Sequence, residues 1–186
     1  MSQEHLEHVG TEINPASFEN ETLAFLHAYW NARRGTRAMP SRGDIKASDL
    51  KEHLGWVMLV EVLSGISDFR YRLIGTLVTQ YFLSDGTGRT VSEIYARTNP
   101  AAGKGVAAIF RKCARDKVVV RAFGGAGWIG DGFEKFDCIC LPLSEDGDTV
   151  NMILHAFTFD RSNVLMAREV ARANGGELPP VSYRTT

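Results

Sequence analysis

Two stretches of the chain, WVMLVEVL at residues 56 to 63 and TVNMILHAFTF at residues 149 to 159, are apolar at almost every position. The first is too short for an ordinary helix and rich in valine, and both read as strands buried on two faces, which belong at the centre of a sheet. A sheet that is apolar front and back needs a covering layer on each side, because burial of that surface is what drives the chain to fold. FRYRLIG, residues 69 to 75, alternates instead. Phe69, Tyr71 and Leu73 are expected on one face with Arg70 and Arg72 on the other, and the preceding GISD turn makes a hairpin with residues 56 to 63. VVVRAF and FEKFDCICLPL read as two further strands, the second joined to the last apolar run across Glu145 to Asp148, where an Asp-Gly pair suits a tight hairpin.

Elsewhere the period turns helical. Leu23, Leu26, His27 and Trp30 recur at i, i+3, i+4 and i+7 on one face, while Phe25 and Tyr29 form an i, i+4 pair on another side. Either Asn14 before Pro15 or Asn20 caps this helix, and Gly35 stops it. The turn-rich connector GTRAMPSRGDI leads to a short helix around SDLKEHL, capped by Ser48 or Asp49. Leu77, Val78, Tyr81 and Phe82 fit another short helix. Asn99 followed by Pro100 starts a longer one, with Val106, Ile109, Phe110 and Cys113 on its apolar face and its end near Asp116. A final helix opens at Ser162 or Asn163 and stops at Gly175 and Gly176. Strand runs separated by a helical block define an α+β domain with an antiparallel sheet.

Within GGAGWIGDGF, residues 124 to 133, Gly125, Gly127 and Gly130 match the spacing of a dinucleotide phosphate loop. Such a loop holds its anion with the N-terminus of a helix directly after it. The segment after this one, FEKFDCICLPL, is strand-like, so the stretch reads as a glycine-rich connection between antiparallel strands.

At 186 residues and 44% hydrophobic, the chain has the material for a real core without staples. Its formal net charge of −1 gives no general attraction to nucleic acid or anionic membrane. No apolar run approaches the roughly 20 residues that cross a bilayer, and MSQEHLEHVGTEINP lacks the features of an export signal, so a cytoplasmic protein is expected. Cys113, Cys138 and Cys140 form no C-x-x-C and read as small apolar fillers. His5 and His8 have a spacing a metal could use but stand in a polar terminus without other ligands, so no metal site is expected.

The element order, together with YWNARRGTRAMPSRGDIKASDL, FRYRLIGT, DGTGRTVSEI and LPLSEDGDTVNMIL, resembles the PAS superfamily, and among its members the stand-alone, single-domain bacterial PAS proteins. The likeness runs from about residue 22 to 160. It implies a five-stranded antiparallel sheet of order 2-1-5-4-3, with helices on one face enclosing a cavity for ligands, cofactors or protein contacts. Strands one and five are the long apolar runs, which suits the centre, while strands two and three carry arginines, which suits edges. The N-terminal helix, about 21 Å long, matches a strand of about 26 Å and is expected to cap the other face. The chain then divides into a polar extension (1–19), the PAS-like domain (20–160) and a C-terminal helix and tail (161–186).

Glu61 and His155 are the ionisable residues well inside the two central strands, so each needs a partner; Glu61 can meet Arg70 or Arg72 across the hairpin, Tyr71 if the register slips by one, or His155 from the neighbouring strand. They read as an internal polar clasp or as a ligand-contacting pair. Tyr71, Tyr81 and Phe110 stand where the resemblance puts a cavity wall, or else are plain core. No nucleophile with its base can be assembled. The Asn-Cys-Arg-Phe stretch of the photoactive flavin branch is absent, and residues 100 to 116 lack the histidine of the haem branch, so neither cofactor is expected and the ligand, if any, is unnamed. Arg33, Arg34, Arg37 and Arg42 cluster near Asp44 and Asp49 and read as a loop lock rather than a nucleic-acid grip.

These readings together point to a sensory or regulatory module that binds a small ligand or a protein partner and signals by contact. About 25 residues remain beyond the domain, too few for an output domain of its own. Phe25 and Tyr29 are expected to face solvent and to form a homodimer interface. The alternatives are a small α+β enzyme using the cavity, for which Glu61 and His155 are the available groups, and a purely structural interaction domain.

Overall fold

The computed structural model describes residues 9–82, 85–96, 99–127 and 133–161. Its elements in chain order are β1 (Gly10–Ile13), α1 (Glu21–Arg34), β2 (Val57–Val62), β3 (Phe69–Ile74), α2 (Thr76–Phe82), α3 (Val91–Tyr95), α4 (Pro100–Asp116), β4 (Val120–Gly125), β5 (Phe133–Leu143) and β6 (Met152–Arg161). The strands form one antiparallel sheet in the order β1-β4-β5-β6-β2-β3. Five of the six keep the order expected from the sequence, with β2 and β6 side by side in the interior of the sheet.

The sixth is β1, in the polar N-terminal stretch, which gives no strand signal of its own. Its residues are half-buried or exposed, so it lacks the alternation that marks a buried face. It is held by its ladder to β4 and by Asn14, whose backbone N–H donates to the Val119 carbonyl at 2.8 Å while its Oδ1 accepts from the Val119 N–H at 3.0 Å. The strand VVVRAF, expected at an edge, is therefore covered. On one face, Arg121 donates to Asp137 on β5 (2.7 Å) and to Glu12 on β1 (3.2 Å), and its guanidinium lies over the Phe18 and Phe123 rings.

Helices α2 to α4 cover one face of the sheet and α1 the other. Asn20 caps α1, its Oδ1 accepting from the N–H groups of Thr22 and Leu23, and Gly35 ends it at φ +56°. Leu23, Leu26 and Trp30 are buried. The Trp30 indole N–H donates to the Pro142 carbonyl at 2.8 Å. Proline lacks a ladder donor, yet β5 tolerates it at position 142 because β4 pairs with β5 no further than Cys140. On that side the Pro142 carbonyl is left free for the indole.

α4 begins as its sequence dictates, with the Asn99 side chain accepting from Ala102 N–H and Pro100 in the first turn; Lys117, at φ +57°, ends it. A third helix of the block, α3, rests on a capping box: Thr90 Oγ1 accepts from Glu93 N–H and Glu93 returns the bond to Thr90 N–H. The T-x-x-E spacing at 90 to 93 is a sequence signal for it.

Local expectations are corrected in three places. SDLKEHL forms 3₁₀ turns at Ala47–Leu50 and Leu54–Trp56 rather than an α-helix. A bulge inserts Arg72 between the pairs Leu59↔Leu73 and Val60↔Tyr71, so Leu73 leaves the face of Phe69 and Tyr71 and is 38% exposed. The β5–β6 connection is longer than a tight turn and is organised by Asp146, whose Oδ1 accepts from Ser144 Oγ and from the N–H groups of Asp148 and Thr149. The glycine-rich stretch joins β4 to β5 antiparallel, with Gly125 opposite Lys135. His5, His8 and the helix expected from Ser162 or Asn163 lie outside the described residues.

Candidate functional site

Alternation along β6 sorts its residues between the two faces. His155 stands opposite Cys140 on one side and Met58 on the other, so all three point toward α4. Tyr71 joins them through Val60, which pairs with it across the β2–β3 hairpin. On α4 the Phe110 ring meets His155 edge-on, with centroids 5.0 Å apart, and Tyr71 at 6.3 Å.

Beside this aromatic cluster is a cavity of about 90 Å³, lined by Met58, Tyr71 and His155 from the sheet and by Val78, Tyr95 and Val106 from the three helices, among others. Two glycines let its walls close. A Cβ on Gly103 of α4 would fall 2.6 Å from Tyr95 Cβ, and one on Gly86 would fall 2.7 Å from Ile94 Cδ1. A larger, open depression of about 490 Å³ at Ile74, Thr76, Thr79, Gln80 and Asp85 gathers no cluster of titratable groups.

The chemistry of the smaller cavity comes from burial. His155 is 5% exposed, and its Nδ1 lies 2.8 Å from the Ile139 carbonyl. A carbonyl only accepts, so Nδ1 carries the proton and Nε2 is a bare acceptor. Burial holds the imidazole neutral, pushing its pKa down to about 4 against the partial support of the Ile139 carbonyl. Tyr71 is 6% exposed; burial first, and the neighbouring Tyr95 second, push its hydroxyl well above its ordinary value. Burial also raises Tyr95 to about 12. Among the described residues neither the Tyr71 hydroxyl nor His155 Nε2 has a hydrogen-bond partner. The wall is thus uncharged but carries polar atoms without partners.

The residues singled out from sequence separate into groups. Tyr71 and His155 line the cavity, and Phe110 packs behind both. Tyr81 lies in α2, and its side chain is outside what the structure describes. Glu61 is on the opposite face of β2, facing Arg70 of β3 at 3.5 Å and Arg72 at 3.9 Å, so no clasp with His155 forms. Its position, three residues from Met58, puts it there.

Phe25 and Tyr29 stack at 6.1 Å, and Phe25 also stacks on His53 at 4.3 Å. Phe25 is 36% exposed, whereas Tyr29 is tied into the connector: its hydroxyl donates to Asp49 at 3.0 Å and accepts from Lys46 N–H at 2.9 Å. The arginine cluster is tied there too. Arg33 pairs with Asp49 and Arg37 with Asp44, Arg42 donates to the Ile45 carbonyl, and Arg34 donates to Asn31. Sequence reasoning missed Tyr95 and Ile94, both on α3, whose start the capping-box spacing marks. Among the described residues, no cluster of metal-ligating side chains is found and no helix is long and apolar enough to cross a membrane.

Compared with family profiles, residues 18–158 match one described as PAS domain. No curated protein and no solved structure matches the chain.

Proposed function

The chain belongs to the PAS-domain family, and from that premise we propose that this sensory or regulatory module binds a small molecule in the cavity between the sheet and α2 to α4, and passes its state on by contact with another protein. The observation that carries the reading is that Tyr71 and His155, each buried and each with a polar atom that has no hydrogen-bond partner among the described residues, line one and the same cavity. Leaving such groups dry costs about 1 to 3 kcal/mol each, so an occupant that satisfies them is favoured. At about 90 Å³ the space is smaller than the ~150 Å³ apolar cavity that admits benzene, which favours an occupant of few atoms. Native mass spectrometry of the purified protein tests this: a small molecule retained by the intact chain and absent from a Val106→Phe variant supports it. A chain free of any adduct, whose thermal stability is unmoved by a library of small molecules, would defeat it.

The exposed part of Phe25 on α1 supports self-association as one route of contact, since burying the remaining third of the side chain contributes roughly 0.5 to 1 kcal/mol. Tyr29 serves that surface through the connector it holds. Sedimentation should show a dimer that Phe25→Ala weakens; a monomer at high concentration would remove this route. An enzymatic use of Glu61 with His155 loses its support, because the two residues lie on opposite faces of the sheet.

A further inference from the structure

The residues that line the cavity include three with polar groups, of complementary kinds. His155 uses its proton on the Ile139 carbonyl, which leaves Nε2 able only to accept. Tyr71 brings a hydroxyl that donates and accepts, and Tyr95 brings a second. A space of about 90 Å³ admits one molecule of a few heavy atoms. We infer that the cavity selects a small uncharged molecule bearing a hydroxyl group, which donates its proton to His155 Nε2 and accepts from the Tyr71 hydroxyl, with its short hydrocarbon part against Met58, Val78 and Ile94.

Each competing chemistry leaves something unmet. A pure hydrocarbon fills the space but leaves Nε2 and the phenol dry. A carboxylate meets two phenols and a neutral imidazole but no cation, and an ammonium meets no anion, so either ion surrenders its hydration without a countercharge. Burial supports the same choice by keeping His155 neutral and both tyrosines protonated. Water satisfies the polar atoms but wets the apolar walls. This inference rests on the reading of the cavity as a ligand site and specifies its chemistry.

The test uses the full chain with four probes of similar size: 1-propanol, propionate, propylammonium and xenon. Binding is monitored by NMR on the Met58 methyl and the His155 ring nitrogens. The expected result is saturable binding of 1-propanol in the millimolar range, a displacement of the Nε2 resonance toward its hydrogen-bonded position, and about tenfold weaker binding of the two ions. Tyr71→Phe, which removes one oxygen and keeps the ring, should weaken 1-propanol about tenfold and leave xenon unchanged. His155→Leu should abolish the preference for the alcohol, but its loss of the Ile139 bond makes Tyr71→Phe the deciding variant. Equal binding of all four probes, or 1-propanol binding unaltered in Tyr71→Phe, overturns the hydroxyl assignment and leaves the ligand-site reading intact. If no probe perturbs the cavity, both fall.

Discussion

His155 makes the pH behaviour of this domain predictable from one side chain. In the unfolded chain its pKa is the ordinary 6.5, and in the fold burial lowers it to about 4. Above pH 6.5 both states are neutral and the fold has its full stability. As pH falls from 6.5 toward 4 the unfolded chain takes up a proton that the fold refuses, so stability drops by up to about 3 kcal/mol, and below pH 4 this group adds no further loss. Denaturant titrations near pH 7.5 and pH 5 should show the wild type losing about 2 kcal/mol more than His155→Gln between the two conditions. Equal losses would mean that the imidazole is solvated. That the residue would be buried and in need of a partner was legible from its place in an apolar run. Which partner it takes was not, because whether Glu61 meets it depends on face and register, and a three-residue offset from Met58 sends Glu61 to the other side.

Among the elements, α1 and β5 are joined by a bond that no periodicity announces. The Trp30 indole satisfies the Pro142 carbonyl inside the protein, so Trp30→Phe should cost about 2 kcal/mol, most of it the stranded carbonyl, as read by thermal or chemical melts. A loss below a few tenths would imply that water replaces the indole. Gly75, between β3 and α2, is a stricter point. A Cβ there would lie 2.3 Å from the Gly55 carbonyl oxygen and 2.4 Å from that of Leu54, both backbone atoms. Gly75→Ala should therefore destabilise by about 3 kcal/mol, whereas Gly105→Ala on α4, with open space around its Cβ position, should be neutral or stabilising. These contrasts mark what sequence exposes of an element. The asparagine caps of α1 and α4 and the apolar strands were readable because their signals are local. The Arg72 bulge was not, since FRYRL, residues 69 to 73, alternates across the bulged position and the extra residue exists only relative to its partner strand. The wall that Tyr95 adds was also hidden, because a five-residue helix shows too little period to fix its orientation.

At the level of the whole molecule, β1 determines how the sheet ends. It covers the outer edge of β4, a strand whose backbone groups would otherwise be open to another chain. A protein beginning at Pro15 would keep α1 and the central strands but lose this cover and the Arg121–Glu12 pair. It should self-associate more strongly with concentration, measured by light scattering against the full chain. Unchanged scattering would show that β4 protects its own edge. The fold class and the central β2–β6 pair were legible because two-faced apolar runs demand interior positions, whereas β1 is exposed, short and held by ladder bonds and one asparagine.

The arrangement of layers has a mechanical consequence. Successive residues of β6 serve opposite sides: His155 fronts the cavity, while Leu154 and Ala156, both without solvent exposure, face the other side of the sheet, the side that α1 covers. Interiors packed at crystal-like density do not absorb displacement locally, so an occupant of the kind proposed, if it shifts the imidazole, should also shift the neighbours that face the other layer, making the strand a diaphragm between the two compartments. Amide exchange in α1 should slow when the cavity is filled; exchange unaltered there but altered in α4 would send the message out through the helical side instead.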